Sequence, residues 1–319
     1  MGINKLTERQ IIGSFYKALN ADAGMGWING VSNYFTSDQA SEEYAWIGMS
    51  PAMREWIGGR NAKGFREKSL TIANKHYEAT LDVLVRDLRR DKSGQVMARI
   101  NELARRTNSH WASLLSTLIL NGAANTCYDG QYFFDTDHSE GDSGTQSNSI
   151  TVDISGLPVT TGGTVSLPSV AEFQFCIAQA IQAIAGFKDD QGEPMNEDAS
   201  QFMVMVPVDY MNVAMQAVAT PVQVAETQSA LQALKGNFQI SAVPNVRLAT
   251  LTSSYQFVVF RTDAAIKSFI RQEETSVSLK VKGEGSEYEF DNDAWQFGVD
   301  TWRNVGYGYW QNSCLVTMA

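Results

Sequence analysis

The residues best suited to chemistry lie in one short string that runs from Cys127 to His138. It reads Cys-Tyr-Asp-Gly-Gln-Tyr-Phe-Phe-Asp-Thr-Asp-His. Asp135, Asp137 and His138 end this string, and carboxylates and imidazoles are suitable ligands for a hard or borderline cation. Such a set would support metal-dependent hydrolysis. Because the spacing matches no specific metal motif, we favour the alternative that these residues cap a turn after a buried pair of phenylalanines.

The other chemical groups of the sequence favour a protein that is not an enzyme. His76 and His110 have no serine or cysteine neighbour that would make them part of a nucleophile system. Neither a P-loop nor a dinucleotide fingerprint occurs in the sequence. An acidic cluster could hold calcium, but its alternation with Ser286, Tyr288 and Phe290 fits a strand with one solvated edge better. The cluster consists of Glu284, Glu287, Glu289, Asp291 and Asp293. We therefore expect no catalytic residue, no cofactor and no bound metal.

The cysteines and the apolar segments limit where the chain can work. The chain of 319 residues has an odd number of cysteines, and they are widely spaced: Cys127, Cys176 and Cys314. This pattern predicts neither a disulfide framework nor a zinc site, and it is typical of a reducing cytoplasm. The sequence has no apolar run long enough to cross a bilayer and no apolar segment near Met1, so we expect neither a membrane span nor secretion.

Charge is distributed unevenly along the chain. The formal net charge is −10, yet residues 51–110 hold thirteen Lys or Arg against seven Asp or Glu. Residues 111–200 contain a single basic residue, Lys188. This split favours a basic element of one subunit that lies on an acidic surface of the next subunit. A nucleic-acid-binding patch is the competing interpretation, but it usually requires a domain that is basic overall.

Helical periodicity predicts a long central helix. Residues 95–120 carry one apolar stripe at three- and four-residue steps, and Asn121-Gly122 supplies a left-handed stop. At 1.5 Å per residue this helix is about 40 Å long, so it is expected to be the spine of the fold. Shorter helices and strands indicate an α+β fold. The predicted helices are 7–19, 171–187, 210–219 and 222–234, and the predicted strands are 202–208, 238–243 and 256–260.

Two further segments alternate between polar and apolar residues. Residues 54–85 predict a long hairpin with a turn-rich tip around Gly58-Gly59 and Gly64. Its tip is basic and has few apolar side chains, and an isolated hairpin is only marginally stable in water, so we expect it either to lie on another chain or to be mobile. Residues 295–309 predict a long strand that returns beside the spine helix.

Three strings of the sequence resemble one protein family. They are Met-Arg-Glu-Trp-Ile-Gly-Gly-Arg at 53–60, Ile-Ala-Asn-Lys-His-Tyr-Glu-Ala-Thr at 72–80, and the string from Cys127 to His138. Each string is moderately specific, and they follow one another in the family's order. Across residues 53–138 the chain resembles the Mu-like prophage major head subunit family, the gpT-like phage capsid proteins. The C-terminal part resembles this family more loosely.

The resemblance implies an α+β fold of the Hong Kong 97 capsid type. The implied parts are an N-terminal arm at 1–53, an E-loop hairpin at 54–76, a peripheral domain at 77–169 with the spine helix at 95–120, an axial domain at 170–290, and a return strand of the peripheral domain at 291–319. The E-loop is expected to contact neighbouring subunits. Its interface candidates are Arg54, Trp56, Arg60, Lys63, Arg66 and Lys68.

The resemblance also implies a structural function. The chain is expected to assemble with itself into hexamers and pentamers that close an icosahedral shell around double-stranded DNA, without reading its sequence. A separate scaffolding protein and a portal protein are the other expected partners, and no membrane is involved. The expected location is the virion capsid, assembled in the bacterial host cytoplasm. The alternatives are an encapsulin-like compartment shell, a metal-dependent cytoplasmic hydrolase and a tail tube or sheath protein.

Overall fold

A computed structural model describes residues 8–21, 26–44, 70–90, 94–157, 162–219, 223–224, 227–228 and 238–319. The α-helices are α1 (Glu8–Leu19), α2 (Trp27–Val31), α3 (Val85–Arg90), α4 (Gln95–Leu120), α5 (Val170–Gly186), α6 (Met211–Ala219) and α7 (Glu287–Asn292). The first strands are β1 (Ser32–Thr36), β2 (Ser41–Tyr44), β3 (Leu70–Ala73), β4 (Lys75–Leu84), β5 (His138–Ser139), β6 (Thr145–Gln146) and β7 (Ser149–Val152). They are followed by β8 (Gln201–Val206), β9 (Gln223–Val224), β10 (Thr227–Gln228), β11 (Gln239–Pro244), β12 (Gln256–Arg261), β13 (Phe269–Lys282), β14 (Ala294–Tyr307) and β15 (Ser313–Met318). None of these helices is long and apolar enough to cross a membrane.

A four-stranded sheet with the order β1-β13-β14-β4 forms one side of the fold. Strands β13 and β14 are antiparallel and pair from Phe269 opposite Tyr307 to Lys282 opposite Gln296. Strand β4 runs antiparallel to β14 on the other side. The predicted alternation of the C-terminal strand is confirmed, because the side chains on one face of β14 are buried. They are Trp295, Phe297, Val299, Thr301, Arg303, Val305 and Tyr307.

A five-stranded sheet with the order β11-β8-β12-β15-β7 forms the other side. Strand β15 pairs with β12 and β7 in this sheet, whereas β14 pairs with β13 and β4. The expectation of a single return strand at 291–319 is therefore wrong, because two strands of this segment lie in different sheets. Gly308 lies between them, and a Cβ atom there would lie 2.3 Å from the carbonyl oxygen of Lys267. Only glycine lets the chain leave the first sheet so close to its neighbour.

Helix α4 coincides with the predicted spine helix and passes through both hydrophobic cores. Its N-terminal half contributes Val96 and Ile100 to a smaller core that also contains α1 and β14. Its C-terminal half contributes Leu115 and Ile119 to a larger core that surrounds the five-stranded sheet. One apolar stripe of the helix thus serves two separate clusters, which its length of about 40 Å allows.

Other elements differ from what the sequence predicts. The middle of the acidic cluster, Glu287–Asn292, is a helix, α7, and not a strand, because Ser286 caps it by accepting a hydrogen bond from the backbone N–H of Glu289 at 3.2 Å. In the segment predicted as helix 222–234, the described residues form the antiparallel pair β9 and β10. Within 54–85 the two described strands do not pair with each other: β3 pairs with β2, and β4 pairs with β14.

A buried arginine separates the two cores at the middle of α4. Arg303 is 2% exposed, and its Nη2 donates a hydrogen bond to the carbonyl oxygen of Thr107 at 3.0 Å. Its guanidinium carbon lies 4.7 Å from the centre of the Trp111 ring, within the range of a cation–π contact. Among the described residues Arg303 forms no ion pair, and burial lowers the pKa of its guanidinium to about 10. The charge is therefore held by the helix carbonyl and the indole.

His110 lies beside this arginine and faces Tyr77, with ring centres 4.4 Å apart. Burial, together with repulsion from Arg303 and Arg247, lowers the pKa of His110 to about 4. An unfolded histidine titrates near 6.5. Between about pH 6.5 and pH 4 the unfolded chain therefore binds a proton that the folded chain does not bind. The free energy of unfolding falls as the pH is lowered through this window.

We predict that His110→Gln reduces this loss of stability. The measurement is urea unfolding of the unassembled chain at pH 7.5, 6.0 and 5.0. The wild-type chain loses stability toward pH 5, and the variant loses clearly less because the titrating imidazole is gone. His76→Gln is the matched control, since the His76 side chain is 45% exposed on β4. If His110→Gln shows the same pH dependence as the wild type, the account of this half-buried histidine is wrong.

Candidate functional site

The structure does not bring the predicted cation ligands together. His138 is fully buried, and its Nδ1 lies 2.7 Å from Oδ2 of Asp129. Asp135 instead accepts hydrogen bonds from the backbone N–H groups of Tyr132 and Thr136, at 3.2 and 2.7 Å. Asp137 is exposed. The described group with metal-ligand spacing is Cys127, Asp129 and His138, so two of the three predicted ligands lie elsewhere.

The environment of His138 places a hydrogen-bond acceptor at each ring nitrogen. Nε2 lies 3.2 Å from Oδ1 of Asn148, and the Nδ2 of this asparagine donates to the carbonyl oxygen of Phe133 at 2.7 Å. The amide orientation is thereby fixed, and Oδ1 accepts. Because the Asp129 carboxylate can only accept, Nδ1 of His138 donates the hydrogen bond to it. The ring also stacks on Trp310 with centres 3.9 Å apart.

The chemistry of this group is that of a buried structural pair. Burial alone would raise the pKa of Asp129, but the hydrogen bonds from His138 and Cys127 outweigh it and hold the pKa below its usual value. Burial raises the pKa of the Cys127 thiol, so this cysteine is a poor nucleophile and a poor metal ligand. His138 and Cys127 are 0% and 6% exposed, which leaves a substrate no access to them. The His138 ring, held by Asp129, stacks on Trp310 and so joins the loop at 127–138 to the turn that contains Trp310.

We predict that Asp129→Asn lowers the free energy of unfolding by about 3 kcal/mol, because it leaves a buried imidazole without its charged acceptor. Asp137→Asn is the matched control in the same loop. Its exposed side chain predicts a change of no more than about 0.5 kcal/mol. The measurement is urea denaturation of the unassembled chain at pH 7.5. Equal stability of the two variants would show that the buried pair contributes nothing.

The interface candidates predicted from the sequence lie outside the described residues. They are Arg54, Trp56, Arg60, Lys63, Arg66 and Lys68. The two ends of their segment are described, however. Tyr44 at the end of β2 pairs directly with Leu70 at the start of β3. The two residues that flank 45–69, Tyr44 and Leu70, therefore lie side by side.

A buried glutamine fixes this point to the four-stranded sheet. Gln272 of β13 is 0% exposed, and its Oε1 accepts a hydrogen bond from the Tyr44 hydroxyl at 2.8 Å. Its Nε2 donates to the carbonyl oxygen of Ile72 at 3.1 Å and to Oδ1 of Asn74 at 2.8 Å. One side chain thus binds both strands that flank residues 45–69. A buried amide with three hydrogen bonds of this kind fixes a loop base firmly.

The family follows from a comparison with known proteins. The sequence profile of the Mu-like prophage major head subunit gpT matches residues 8–158 and 236–317. The chain belongs to this family. The resemblance seen in the sequence is thereby confirmed, and it extends past residue 138 into the C-terminal strands.

Individual relatives match over a shorter stretch. A stretch of 111 residues is 34% identical to the Mu-like prophage FluMu major head subunit of Haemophilus influenzae and covers 35% of this chain. A stretch of 110 residues is 31% identical to the major capsid protein of Escherichia phage Mu and covers 34% of this chain. In each comparison the match spans only 36% of the relative's length.

The fold is that of phage capsid proteins. A chain of the procapsid of bacteriophage JBD30 superposes with a TM-score of 0.55 at 23% sequence identity. The superposition covers 98% of this chain and 76% of that chain. The expected α+β fold of the Hong Kong 97 type is confirmed.

Proposed function

We infer that this chain is the major capsid protein of a tailed phage or prophage and has no enzymatic activity. In this function it assembles with itself into hexamers and pentamers of an icosahedral shell. Family membership and the capsid fold support the inference. The observation that carries it furthest is the paired base of residues 45–69, since a long segment that starts and ends at one fixed point is suited to reach a neighbouring subunit.

The chemistry of that segment supports contact between subunits. Five of its six interface candidates are Arg or Lys. The rest of the chain outside 51–110 holds twelve Lys or Arg against twenty-eight Asp or Glu, so each copy offers an acidic surface to a basic segment. We propose that Arg54, Arg60, Lys63, Arg66 and Lys68 bind this surface of a neighbour and that Trp56 contributes an apolar anchor.

The parts of the proposed shell subunit follow the two sheets. We propose that strands β4, β13 and β14 with α4 form the peripheral domain and that the five-stranded sheet with α5 and α6 forms the axial domain. Residues 1–53 correspond to the N-terminal arm and 54–76 to the E-loop. Because β13 pairs with β14 along most of its length, we place β13 in the peripheral domain, although it falls within the expected range 170–290.

The other proposed partners follow from the family. The shell encloses double-stranded DNA without reading its sequence, and the excess of acidic residues limits tight phosphate binding that would hinder DNA movement. A separate scaffolding protein and a portal protein complete the assembly. We propose that assembly takes place in the bacterial host cytoplasm and that the chain remains in the virion capsid.

We predict that Arg60→Glu combined with Lys63→Glu blocks shell formation while the chain stays folded. Reversal of two charges replaces attraction to an acidic neighbour with repulsion. The measurement is analytical ultracentrifugation of the purified protein, with circular dichroism to check the fold. At least a tenfold loss of large particles relative to the wild type is expected.

The matched control is Arg9→Glu combined with Lys188→Glu. Both side chains are exposed, and the change in net charge is the same. This control is expected to assemble. Normal shells from the Arg60 and Lys63 variant, or an equal loss in the control, would contradict the assignment of the segment as the interface.

A further inference from the structure

The tip of the β13–β14 hairpin presents an aromatic side chain to solvent. Phe290 on α7 is 91% exposed, a larger fraction than that of any other large apolar side chain in the described part of the chain. Helix α7 buries none of its residues. A phenylalanine in this position contributes nothing to the core of its own chain, so folding of the single chain does not explain it.

Polar contacts hold α7 in place without using Phe290. The Tyr288 hydroxyl donates to Oδ2 of Asp82 on β4 at 3.0 Å, and the Trp295 indole donates to Oε1 of Glu289 at 3.0 Å. The backbone N–H of Val85 donates to the carbonyl oxygen of Asp293 at 2.9 Å. The helix is therefore a fixed platform for the exposed ring.

The surroundings of Phe290 are strongly acidic. Residues 283–293 contain five Asp or Glu and no Lys or Arg. Glu287 and Asp291 flank the phenylalanine and are exposed. A partner for this surface must offer an apolar recess with basic residues around it.

The same end of the molecule carries a recess lined by apolar, basic and acidic side chains. A cavity of about 370 Å³ lies between the end of β4, α3 and the first turns of α4. Its apolar part includes Leu84, which is 37% exposed, and its charged part consists of Arg90 and Arg99 with Asp82 and Asp87. Arg86 and Arg89 on α3 are also exposed beside it.

We propose that Phe290 of one copy of this chain inserts into the Leu84–Arg99 recess of a second copy, with the acidic residues of α7 against the arginines of α3 and α4. On the recess side Arg86, Arg89, Arg90 and Arg99 outnumber Asp82 and Asp87, so the charges of the two surfaces are complementary. The two surfaces belong to different patches of the same chain. Such a contact is heterologous, and repetition of it closes a ring when the rotation between copies allows. Because the two patches lie at one end of the molecule, a small ring is the expected product.

This inference rests on the proposed function, since a second copy is available only if the chain assembles. It adds a contact that is separate from residues 54–68. The further inference and the proposed function can therefore fail independently.

The test is a disulfide cross-link between copies. The native cysteines are all buried, so a Phe290→Cys, Leu84→Cys variant carries the only exposed thiols among the described residues. After mild oxidation of assembled protein, non-reducing gel electrophoresis is expected to show a ladder of multimers that ends at one closed species. Val246→Cys with Leu84→Cys is the matched control, since Val246 is 73% exposed but lies outside both patches. It is expected to remain monomeric on the gel.

A second variant covers the case in which the cysteines disturb folding. Phe290→Ala leaves the polar contacts of α7 intact and is expected to lower the yield of assembled particles at least tenfold with an unchanged circular dichroism spectrum. Assembled protein that gives no ladder, or only an intrachain cross-link, overturns this inference and leaves the proposed function standing. Normal assembly of the Phe290→Ala variant does the same. A wild-type chain that stays monomeric overturns both.

Discussion

Helix α4 must serve two hydrophobic cores at once, and the rest of the fold depends on this constraint. A helix of about 40 Å is longer than either core, so its apolar stripe is divided at Thr107 and His110. Arg303 occupies the division, where a helix carbonyl and the Trp111 ring hold its charge. The two sheets are thereby fixed to one rod, and the long strand β14 runs alongside it. This arrangement makes the folded chain rigid.

Regular periodicity made much of this fold predictable. The apolar stripe of α4 and the alternation along β14 identified both elements, because each pattern repeats over many residues. Arg303 was not predictable as a buried residue, since a charged side chain in an alternating strand normally suggests the end of its buried face. The helix α7 was also missed, because the alternation of acids with Ser286 and Phe290 imitates a strand while the serine cap decides for a helix.

The candidate site was predictable only in part. The residue types of the string from Cys127 to His138 mark it as chemically unusual, and His138 lies at the centre of the buried site. Its true partners, Asp129 and Asn148, lie nine and ten residues away in the sequence, and side-chain pairs across a loop leave no periodic signal. Gln272 lies 200 residues from Ile72 in the sequence, so its hydrogen bonds to the strands that flank residues 45–69 are visible only in three dimensions.

Polar groups therefore connect the parts of this chain, and we propose that its surfaces bind copies of itself. Electron microscopy of the purified full chain, negatively stained after expression in bacteria, tests this account most directly. The account predicts closed shells or ring-shaped capsomers of uniform size. Helical filaments, or compact monomers at high protein concentration, would contradict it.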